Sequence, residues 1–418
     1  MMTAMMMRSD WFRMPATVLH SAAVAYMVLA VATAPLLAAE ATQPAVADNL
    51  KQKRVIGYFA EWSKHYHVTS IPADKLTHVN YAFAVIRDGE CAMKDNLAAG
   101  RHFPLLQTLK RQHPHLRTLI SIGGWTDSGP FSDVALTPES REKFSRSCAD
   151  FIKEHGFDGV DIDWEYPGGG GHDKTKGRPE DKQNFTLLLQ DLRRALDEQG
   201  QKDDKHYLLT IAAPAGGQHK RIELDRIHPL LDFINLMTYD FAGHWSDRTA
   251  FNAPLHPWDD HKLSADTAVQ AYLDAGVPKE KLVLGVPFYG RAFAGVAAKN
   301  HGLGQEHSGK PPRAAGSSVE WSWRTIGKHH LDQATRHWHE QAKVPYLYDA
   351  ENRLFISYDD PESLRLKARY VRGHNLGGVM IWELSQDDEK SSLLNALHAG
   401  LRIAPATQPD PVSSQPEH

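Results

Sequence analysis

The sequence has little of what would mark a disulfide scaffold, a nucleic-acid-binding protein or a metalloprotein. It has only two cysteines in 418 residues, too few for a disulfide framework. Its formal net charge is -4, and because nucleic acids and anionic membranes attract basic surfaces, this charge argues against both as partners. The 24 histidines are scattered along the chain. We therefore predict no metal site and no cofactor.

The two cysteines allow more than one interpretation. Cys148 shares an apolar helical face with Phe144 and Phe151, which predicts a buried free thiol. A disulfide with Cys91 stays possible in an exported protein, since spacing gives no geometry.

Charge is absent from residues 21–39, which follow a basic stretch that includes Arg8 and Arg13. The order of basic, apolar and then small residues predicts a secretory signal peptide over residues 1–39. A membrane anchor is the alternative, but Pro35 interrupts the apolar run. We therefore expect a secreted or periplasmic monomer without stable membrane association.

Eight short apolar runs recur along the chain, and most are followed by an amphipathic helical pattern. The runs are 55–62, 78–84, 117–124, 159–165, 207–214, 233–240, 281–289 and 377–383. Examples of the helical patterns are 103–112, 138–155, 181–199, 265–275 and 361–374. This alternation predicts an α/β fold of the (β/α)8 TIM-barrel class. An open doubly wound sheet would need a glycine-rich turn after the first strand, and residues 62–65 contain no glycine.

The regular spacing is interrupted once, by about 65 residues between 291 and 355. Because a structureless loop of that length is improbable in a compact domain, we predict a small α+β subdomain inserted between strand 7 and helix 7. The catalytic barrel then comprises residues 54–290 and 356–401. The proline- and serine-rich tail, 402–418, is expected to be disordered.

The fourth predicted strand carries three acids in alternation, Asp161, Asp163 and Glu165. Side chains alternate along a strand, so all three point the same way, towards the interior of a closed barrel near its carboxyl-terminal mouth. Acids this close cannot all ionise, and at least one pKa rises, which suits a general acid near neutral pH. Carboxylates also bind divalent metal ions. The residues alone leave both interpretations open.

The residues around the three acids help to choose between an acid–base site and a metal site. The stretch 157–167 (FDGVDIDWEYP) resembles the D-x-x-D-x-D-x-E signature of family 18 glycoside hydrolases, the chitinase family. Motifs of strands three, six and eight in that family resemble residues 121–125, 237–240 and 378–383. The edges of the inserted subdomain in its larger bacterial and animal-type members resemble residues 289–291 and 344–346. The resemblance runs from about Val55 to about Gly400.

This resemblance implies hydrolysis of β-1,4-N-acetylglucosamine linkages in chitin and chito-oligosaccharides. By resemblance, Glu165 protonates the leaving oxygen and later acts as the base on water. Asp163 hydrogen-bonds the substrate acetamide, Asp161 shares a proton with Asp163, and Tyr239 orients the acetamide oxygen. The substrate's own N-acetyl oxygen is then the nucleophile, and the product retains the β configuration.

Aromatic and polar residues near the predicted strand ends complete the expected site. Trp382, at the end of strand eight, is expected to form an apolar floor beneath the reacting sugar. The other predicted substrate-binding residues are Asp240, Arg291, Met237, Trp125, Tyr58, Phe83 and Trp245. Relatives often carry a polar residue where this chain has Ala242, a difference expected to affect outer sugars only.

Two other functions are compatible with the same barrel. One is a catalytically weak chitin-binding lectin, which typically lacks the catalytic acid. The other is an endo-β-N-acetylglucosaminidase acting on N-glycans, which usually lacks the inserted subdomain. The presence of Glu165 argues against the lectin, and the long insertion argues for chitin as the substrate.

Overall fold

Eight parallel strands form a closed ring in the computed structural model, which describes residues 53–311 and 321–402. The strands, in chain order, are β1 (Arg54–Ala60), β2 (His78–Arg87), β3 (Glu90–Met93), β4 (Arg117–Gly123), β5 (Gly159–Asp163), β6 (Leu208–Pro214), β7 (Phe233–Met237), β8 (Leu282–Pro287), β9 (Arg291–Phe293), β10 (Thr335–His339), β11 (Val344–Asp349), β12 (Leu354–Ser357) and β13 (Gly378–Trp382). The ring order is β1-β13-β8-β7-β6-β5-β4-β2, and β1 also pairs with β2. The predicted (β/α)8 barrel is confirmed.

Helices lie between these strands and after the last of them along the chain. They are α1 (Asn96–Gln112), α2 (Phe131–Val134), α3 (Pro138–His155), α4 (Asp181–Asp203), α5 (Leu224–Ile227), α6 (Ala265–Asp274), α7 (Trp323–His329), α8 (Pro361–Gly373) and α9 (Ser392–Leu401). Local sequence explains the sharpest boundaries. Thr137 caps α3 through the Ser140 backbone N–H, Pro138 occupies the first turn, and Gly156 ends the helix at φ 73°. The predicted bounds of this helix, 138–155, agree with the structure.

Helix α1 begins earlier than predicted. The expected start was residue 103, but the helix begins at Asn96 because the Asp95 side chain accepts hydrogen bonds from the backbone N–H groups of Leu97 and Ala98. Pro104 lies inside the helix. A cap contributes only about 1 kcal/mol, less than an interior proline costs, so the burial of Phe103, Leu106 and Leu109 is also needed to keep the helix continuous.

Strand β3 was not predicted. It forms an antiparallel hairpin with the outer end of β2. The turn between them is Asp88–Gly89, and both residues have positive φ, 53° and 79°. Aspartate followed by glycine is a strong signal for such a turn, so the sequence did contain the information for this hairpin.

A four-stranded antiparallel sheet lies between β8 and α8 in the chain, with strand order β10-β11-β12-β9. Its aromatic residues Phe293, Tyr346 and Phe355 form a hydrophobic cluster with Phe251 and Trp258 from the segment between β7 and α6. Together with α7 it makes the predicted α+β insertion after the seventh barrel strand. The insertion carries Arg291, the first residue of β9, to the carboxyl-terminal end of the barrel strands.

Several sequence-based expectations concern the ends of the chain. The predicted signal peptide lies outside the described residues, and so does the predicted tail apart from Arg402. Across 53–311 and 321–402, no helix combines the length and apolar character needed to cross a bilayer. Cys91 and Cys148 are both buried free thiols.

Candidate active site

The deepest acid of the site is Asp161, in the middle of β5 and fully buried. Its Oδ2 atom accepts hydrogen bonds from the hydroxyls of Tyr58 at 2.6 Å and Ser121 at 2.8 Å. Its Oδ1 atom accepts from the hydroxyl of Thr210 at 2.6 Å and the amide of Asn235 at 3.3 Å. Burial raises the pKa of Asp161, and the donors oppose that rise. Four donors around one carboxyl group favour its ionised form.

Asp163, the last residue of β5, has different surroundings. It is 4% exposed, and no hydrogen-bond partner for its Oδ1 atom occurs among the described residues. Burial, followed by the negative charges of Glu165 and Asp161, raises the pKa of Asp163 well above its ordinary value. The four donors around Asp161 and the two acids near Asp163 therefore favour Asp163 over Asp161 as the carboxyl group that holds a proton.

Glu165 was expected to lie on the strand, but β5 ends at Asp163 and Glu165 follows two residues later. Its backbone N–H donates to the side-chain oxygen of Ser128 at 2.9 Å instead of continuing the sheet. Partial burial raises the pKa of Glu165 to about 7; the charge of Asp240 contributes to the rise, and a hydrogen bond with Tyr166 opposes it. Near neutral pH this carboxyl group therefore exists in both protonation states, as a residue that acts first as acid and then as base requires.

Tyr239 lies just beyond β7, beside the acids. Its hydroxyl donates to the Met380 sulfur at 3.9 Å, a long and weak contact. Burial, followed by the neighbouring Tyr289 and the acids Asp163 and Glu165, raises the pKa of Tyr239 well above its ordinary value. The hydroxyl therefore stays protonated at all working pH values and is a hydrogen-bond donor.

Four aromatic rings from three strands make one side of the site. Trp382 stacks on Phe83 with ring centroids 5.6 Å apart and meets the edge of Tyr58 at 5.3 Å. Trp62 also stacks on Phe83, at 6.0 Å, lies 6.4 Å from the ring of Trp382, and is 52% exposed. Tyr58 itself is buried and reaches down to Asp161, so it lies one layer below the pocket wall. Met237 and Tyr239 pack against the same barrel-interior cluster.

The opposite side is polar and combines a barrel loop with the insertion. Asp240 binds Arg291 through two parallel hydrogen bonds of 2.8 and 2.7 Å, and it accepts a third from the Tyr289 hydroxyl at 2.8 Å. The Arg291 guanidinium lies over the ring of Trp245, 5.0 Å from its centroid. Asp240 has a positive φ of 59°, and its backbone N–H donates to the side chain of Asn252. Together these contacts fix the wall formed by Asp240 and Arg291.

A cavity of about 180 Å³ adjoins the acid. Glu165 and Tyr166 line its inner end, and Trp125 and His172 line its outer part. Trp125 is 50% exposed, and its ring meets the edge of the His172 imidazole at 6.5 Å. An exposed indole beside a proton donor suits the apolar face of a sugar on the leaving-group side.

All twelve predicted site residues lie within barrel strands, in the segments that follow these strands, or on the first strand of the insertion. Their contacts place them in three groups: the acids, the aromatic side and the polar side. Trp125 belongs to none of these groups, but it lines the cavity that adjoins Glu165. The sequence-based reasoning missed five contributing residues: Trp62, Ser128, Thr210, Asn235 and Tyr289.

The sequence carried a signal for four of these five residues, since Tyr289 belongs to the stretch 289–291 that resembles an edge of the inserted subdomain. Thr210 and Asn235 occupy inward-facing positions of β6 and β7, so strand alternation would have selected them. Trp62 directly follows β1, where active-site residues of barrels occur. Nothing local distinguishes Ser128, because it acts through the backbone of another loop.

The arrangement of the acids bears on the alternative of a metal site. Over the ranges the structure describes, there is no group of three or more histidine, cysteine, aspartate or glutamate side chains with the arrangement of metal ligands. The oxygens of Asp161 are instead occupied by uncharged donors. This geometry suits proton transfer and hydrogen bonding to a ligand.

A closed (β/α)8 barrel with acids at the carboxyl end of its fourth strand defines a TIM-barrel glycoside hydrolase. Comparison with known protein families identifies the family. The model of the family described as Glycosyl hydrolases family 18 matches residues 54–387. The chain belongs to this family. The family predicted from the sequence is therefore confirmed.

Individual relatives agree with this assignment. Chitinase A1 of Niallia circulans is 40% identical over 422 residues, which cover 86% of this chain and 60% of that protein. Among solved structures, Chitinase ChiA74 from Bacillus thuringiensis has a TM-score of 0.78 at 35% identity, covering 86% of this chain and 71% of that one. A family 18 N-acetylglucosaminidase from Paenibacillus barengoltzii has a TM-score of 0.75 at 37% identity, covering 83% of this chain and 99% of that one.

Proposed function

We propose that this protein hydrolyses β-1,4-N-acetylglucosamine linkages in chitin and chito-oligosaccharides. One observation carries the proposal: the buried Oδ1 atom of Asp163, unpartnered among the described residues, lies in one site with Glu165, whose pKa is about 7, and with the hydroxyl of Tyr239. An acceptor and a donor beside a proton-transferring acid match an acetamide group next to a glycosidic bond. The similarity to named chitinases supports the same substrate.

In the first step, Glu165 donates its proton to the leaving glycosidic oxygen. The carbonyl oxygen of the substrate's own N-acetyl group attacks the anomeric carbon as that bond breaks, which gives a cyclic oxazolinium ion. Tyr239 orients the acetamide oxygen, and Asp163 accepts a hydrogen bond from the acetamide N–H. The ionised Asp161 below them stabilises the developing positive charge.

In the second step, the Glu165 carboxylate removes a proton from water. The water oxygen attacks the anomeric carbon from the face that the leaving group occupied, and the oxazolinium ring opens. Two inversions give net retention of the β configuration. No protein nucleophile is needed, because the substrate's acetamide is already held next to the reacting carbon.

The two walls of the site have separate tasks in this proposal. Trp382 supports the apolar face of the reacting sugar, and Phe83 and Trp62 extend that surface away from Glu165. Asp240 and Arg291 contact polar groups of the sugar chain on the opposite side. Trp125 and Trp245 contact outer sugars. The substrate is thus held by stacking on one side and by hydrogen bonding on the other.

A protein that is exported can reach a polymeric substrate outside the cell. We infer from the uncharged run at residues 21–39 that the protein is secreted or periplasmic, with residues 1–39 as the signal peptide. N-terminal sequencing of the protein recovered from culture medium or periplasm tests this. A mature chain that retains residues 1–39 in a membrane fraction would show an anchor instead.

Product analysis tests the proposed function. Purified protein is incubated separately with chitohexaose and with an N-glycosylated glycoprotein, and the products are identified by mass. Cleavage of chitohexaose is expected. Release of N-glycans without cleavage of chitohexaose would indicate an endo-β-N-acetylglucosaminidase, and binding to chitin without any cleavage would indicate a lectin. Among the cleavage products, single N-acetylglucosamine units released throughout the reaction would indicate the specificity named for the Paenibacillus relative.

A further inference from the structure

The backbone of Glu165 lies outside the sheet, and its N–H donates to a side chain from another loop. Strand β5 ends at Asp163, so neighbouring strands do not fix the two residues that follow. The backbone N–H of Glu165 donates to the Oγ atom of Ser128 at 2.9 Å. Ser128 belongs to the loop after β4, and it is 4% exposed.

The same hydroxyl also meets two carbonyl oxygens. Ser128 Oγ lies 2.8 Å from the carbonyl oxygen of Gly124 and 2.9 Å from that of Asp163. A hydroxyl has one proton and two lone pairs, so it donates to one of these carbonyls at a time while it accepts from Glu165. Ser128 therefore connects the last residue of β5, the residue that acts as acid, and the exit of β4.

The loop after β4, which carries Ser128, packs closely against the end of β5. The Gly124 backbone N–H donates to the Asp163 carbonyl oxygen at 2.9 Å, and the Phe131 N–H donates to the Ser128 carbonyl oxygen at 3.1 Å. At Gly123, where φ is 106°, an added Cβ would lie only 2.4 Å from the Asp163 carbonyl oxygen. The loop thus approaches the end of β5 as closely as backbone atoms allow, and its position determines the position of Ser128.

We propose that Ser128 is a positioning residue that holds the backbone of Glu165 and thereby fixes the direction of its carboxyl group. This inference rests on the proposed function, in which Glu165 is the general acid and base. Small displacements of a catalytic group reduce turnover strongly and affect substrate binding much less. A loosened Glu165 also becomes better hydrated, which lowers the pKa that burial raises.

The experiment compares Ser128→Ala with Ser145→Ala in the full-length protein. Ser145 is a matched control because it is also a buried serine, 1% exposed, and its hydroxyl has no hydrogen-bond partner among the described residues. We expect Ser128→Ala to lower kcat on a fluorogenic chito-oligosaccharide about tenfold, with KM changed less than about twofold. The alkaline limb of its pH–rate profile moves to lower pH. Ser145→Ala leaves kcat, KM and the pH profile as in the wild type.

Amide hydrogen exchange provides a measurement that does not depend on activity. Exchange at the Glu165 N–H is expected to be about tenfold faster in Ser128→Ala and unchanged in Ser145→Ala, because only the first loses the acceptor. Ser128→Cys, whose sulfur is a weaker acceptor of similar size, should show a smaller change of the same sign; this variant decides the matter if Ser128→Ala does not fold.

Two outcomes separate this inference from the proposed function. If the wild type cleaves and Ser128→Ala retains its kcat and pH profile, the positioning role is wrong. If the wild type does not cleave, the proposed function is wrong, and the exchange measurement alone decides whether Ser128 holds Glu165; unchanged exchange in Ser128→Ala would overturn the inference.

Discussion

Two barrel strands lead into acidic side chains at the same mouth, and the two sets of acids have different surroundings. After β7, Asp240 is bound by Arg291 through two hydrogen bonds and by Tyr289 through a third. At the end of β5, the neighbouring charges that raise the pKa of Asp163 are both negative, those of Glu165 and Asp161. The pKa of Glu165 is likewise raised by a neighbouring negative charge, that of Asp240.

The difference shows how one barrel mouth supports two tasks. A carboxylate bound by a guanidinium through two hydrogen bonds keeps a fixed geometry, so it is suited to shape and recognition. Carboxyl groups that are buried without cations have raised pKa values and exchange protons near neutral pH. The predictions below test this division between a proton-transferring set and a paired set.

The largest expected effect comes from Glu165→Gln. The amide keeps the size of the side chain but cannot transfer the proton, so kcat on a fluorogenic chito-oligosaccharide should fall about 10²- to 10⁴-fold. Chitin binding should be retained, as a pull-down on chitin beads measures. A variant with wild-type kcat would remove Glu165 from the proton-transferring set.

The fold of this variant is checked by thermal unfolding. In the folded wild type the pKa of Glu165 is raised to about 7 from an ordinary value near 4.5. Ionising it therefore costs folding stability as pH rises through that window, and the cost is fully present above pH 7. Glu165→Gln should thus have a higher Tm than the wild type at pH 8 and a similar Tm at pH 4.

Asp163→Asn should lower kcat by more than tenfold. The amide keeps the size of the side chain and an oxygen that can accept from the acetamide N–H, but it carries no negative charge and cannot exchange a proton with Asp161. The matched variant is Asp158→Asn, also on the chain near β5 but hydrogen-bonded to the backbone N–H of Thr118 and to Lys205; it should affect stability more than kcat. Wild-type turnover in Asp163→Asn would contradict the substrate-assisted mechanism.

The pH dependence of the wild type follows from the same group. Glu165 must be protonated to act as acid, and its pKa is about 7. The value of kcat/KM should therefore decline above about pH 7, approaching a tenfold loss for each further pH unit. The measurement is a pH–rate profile in buffers of constant ionic strength. Activity that keeps rising through pH 8 would assign the proton to another group.

A smaller change is expected at the paired acid. Asp240→Asn should raise KM for chitohexaose about threefold and change kcat less, because it weakens a binding wall. It should also move the alkaline limb to lower pH, since the Asp240 charge helps to raise the pKa of Glu165. Arg291→Lys, which keeps the charge but not the two parallel bonds, should change KM alone. A loss of kcat in Asp240→Asn as large as in Asp163→Asn would remove the distinction between the two sets.

The smallest expected effect is that of a chelator. Activity should be unchanged in excess EDTA, because the acids transfer protons and hold the substrate. The assay is kcat before and after dialysis against EDTA. Loss of activity that a divalent cation restores would revive the metal interpretation of the acids.

Much of the barrel could be predicted because apolar runs and helix caps are local signals. The eight strands and the bounds of α3 follow from such patterns, and the acids on β5 follow from strand alternation. The start of α1 was missed because Asp95 was not recognised as the residue that caps the helix. Residues that act through another loop, such as Ser128, have no local signal.

The sequence also could not predict which of the acids favours a proton. Alternation places Asp161 and Asp163 on one face, but it does not show that four donors from four other strands surround only the first. Those contacts join residues 40 to 103 positions away from Asp161. The pairing of Asp240 with Arg291 depends likewise on the inserted sheet, which brings β9 next to the loop after β7.

The anomeric form of the first product tests the central claim most directly. Chitohexaose is hydrolysed by the wild type, and proton NMR spectra are recorded before the products mutarotate. If the substrate's acetamide is the nucleophile and Glu165 delivers water to the same face, the newly formed reducing end is the β anomer at first and equilibrates later. An α anomer as the first product would contradict the proposed mechanism.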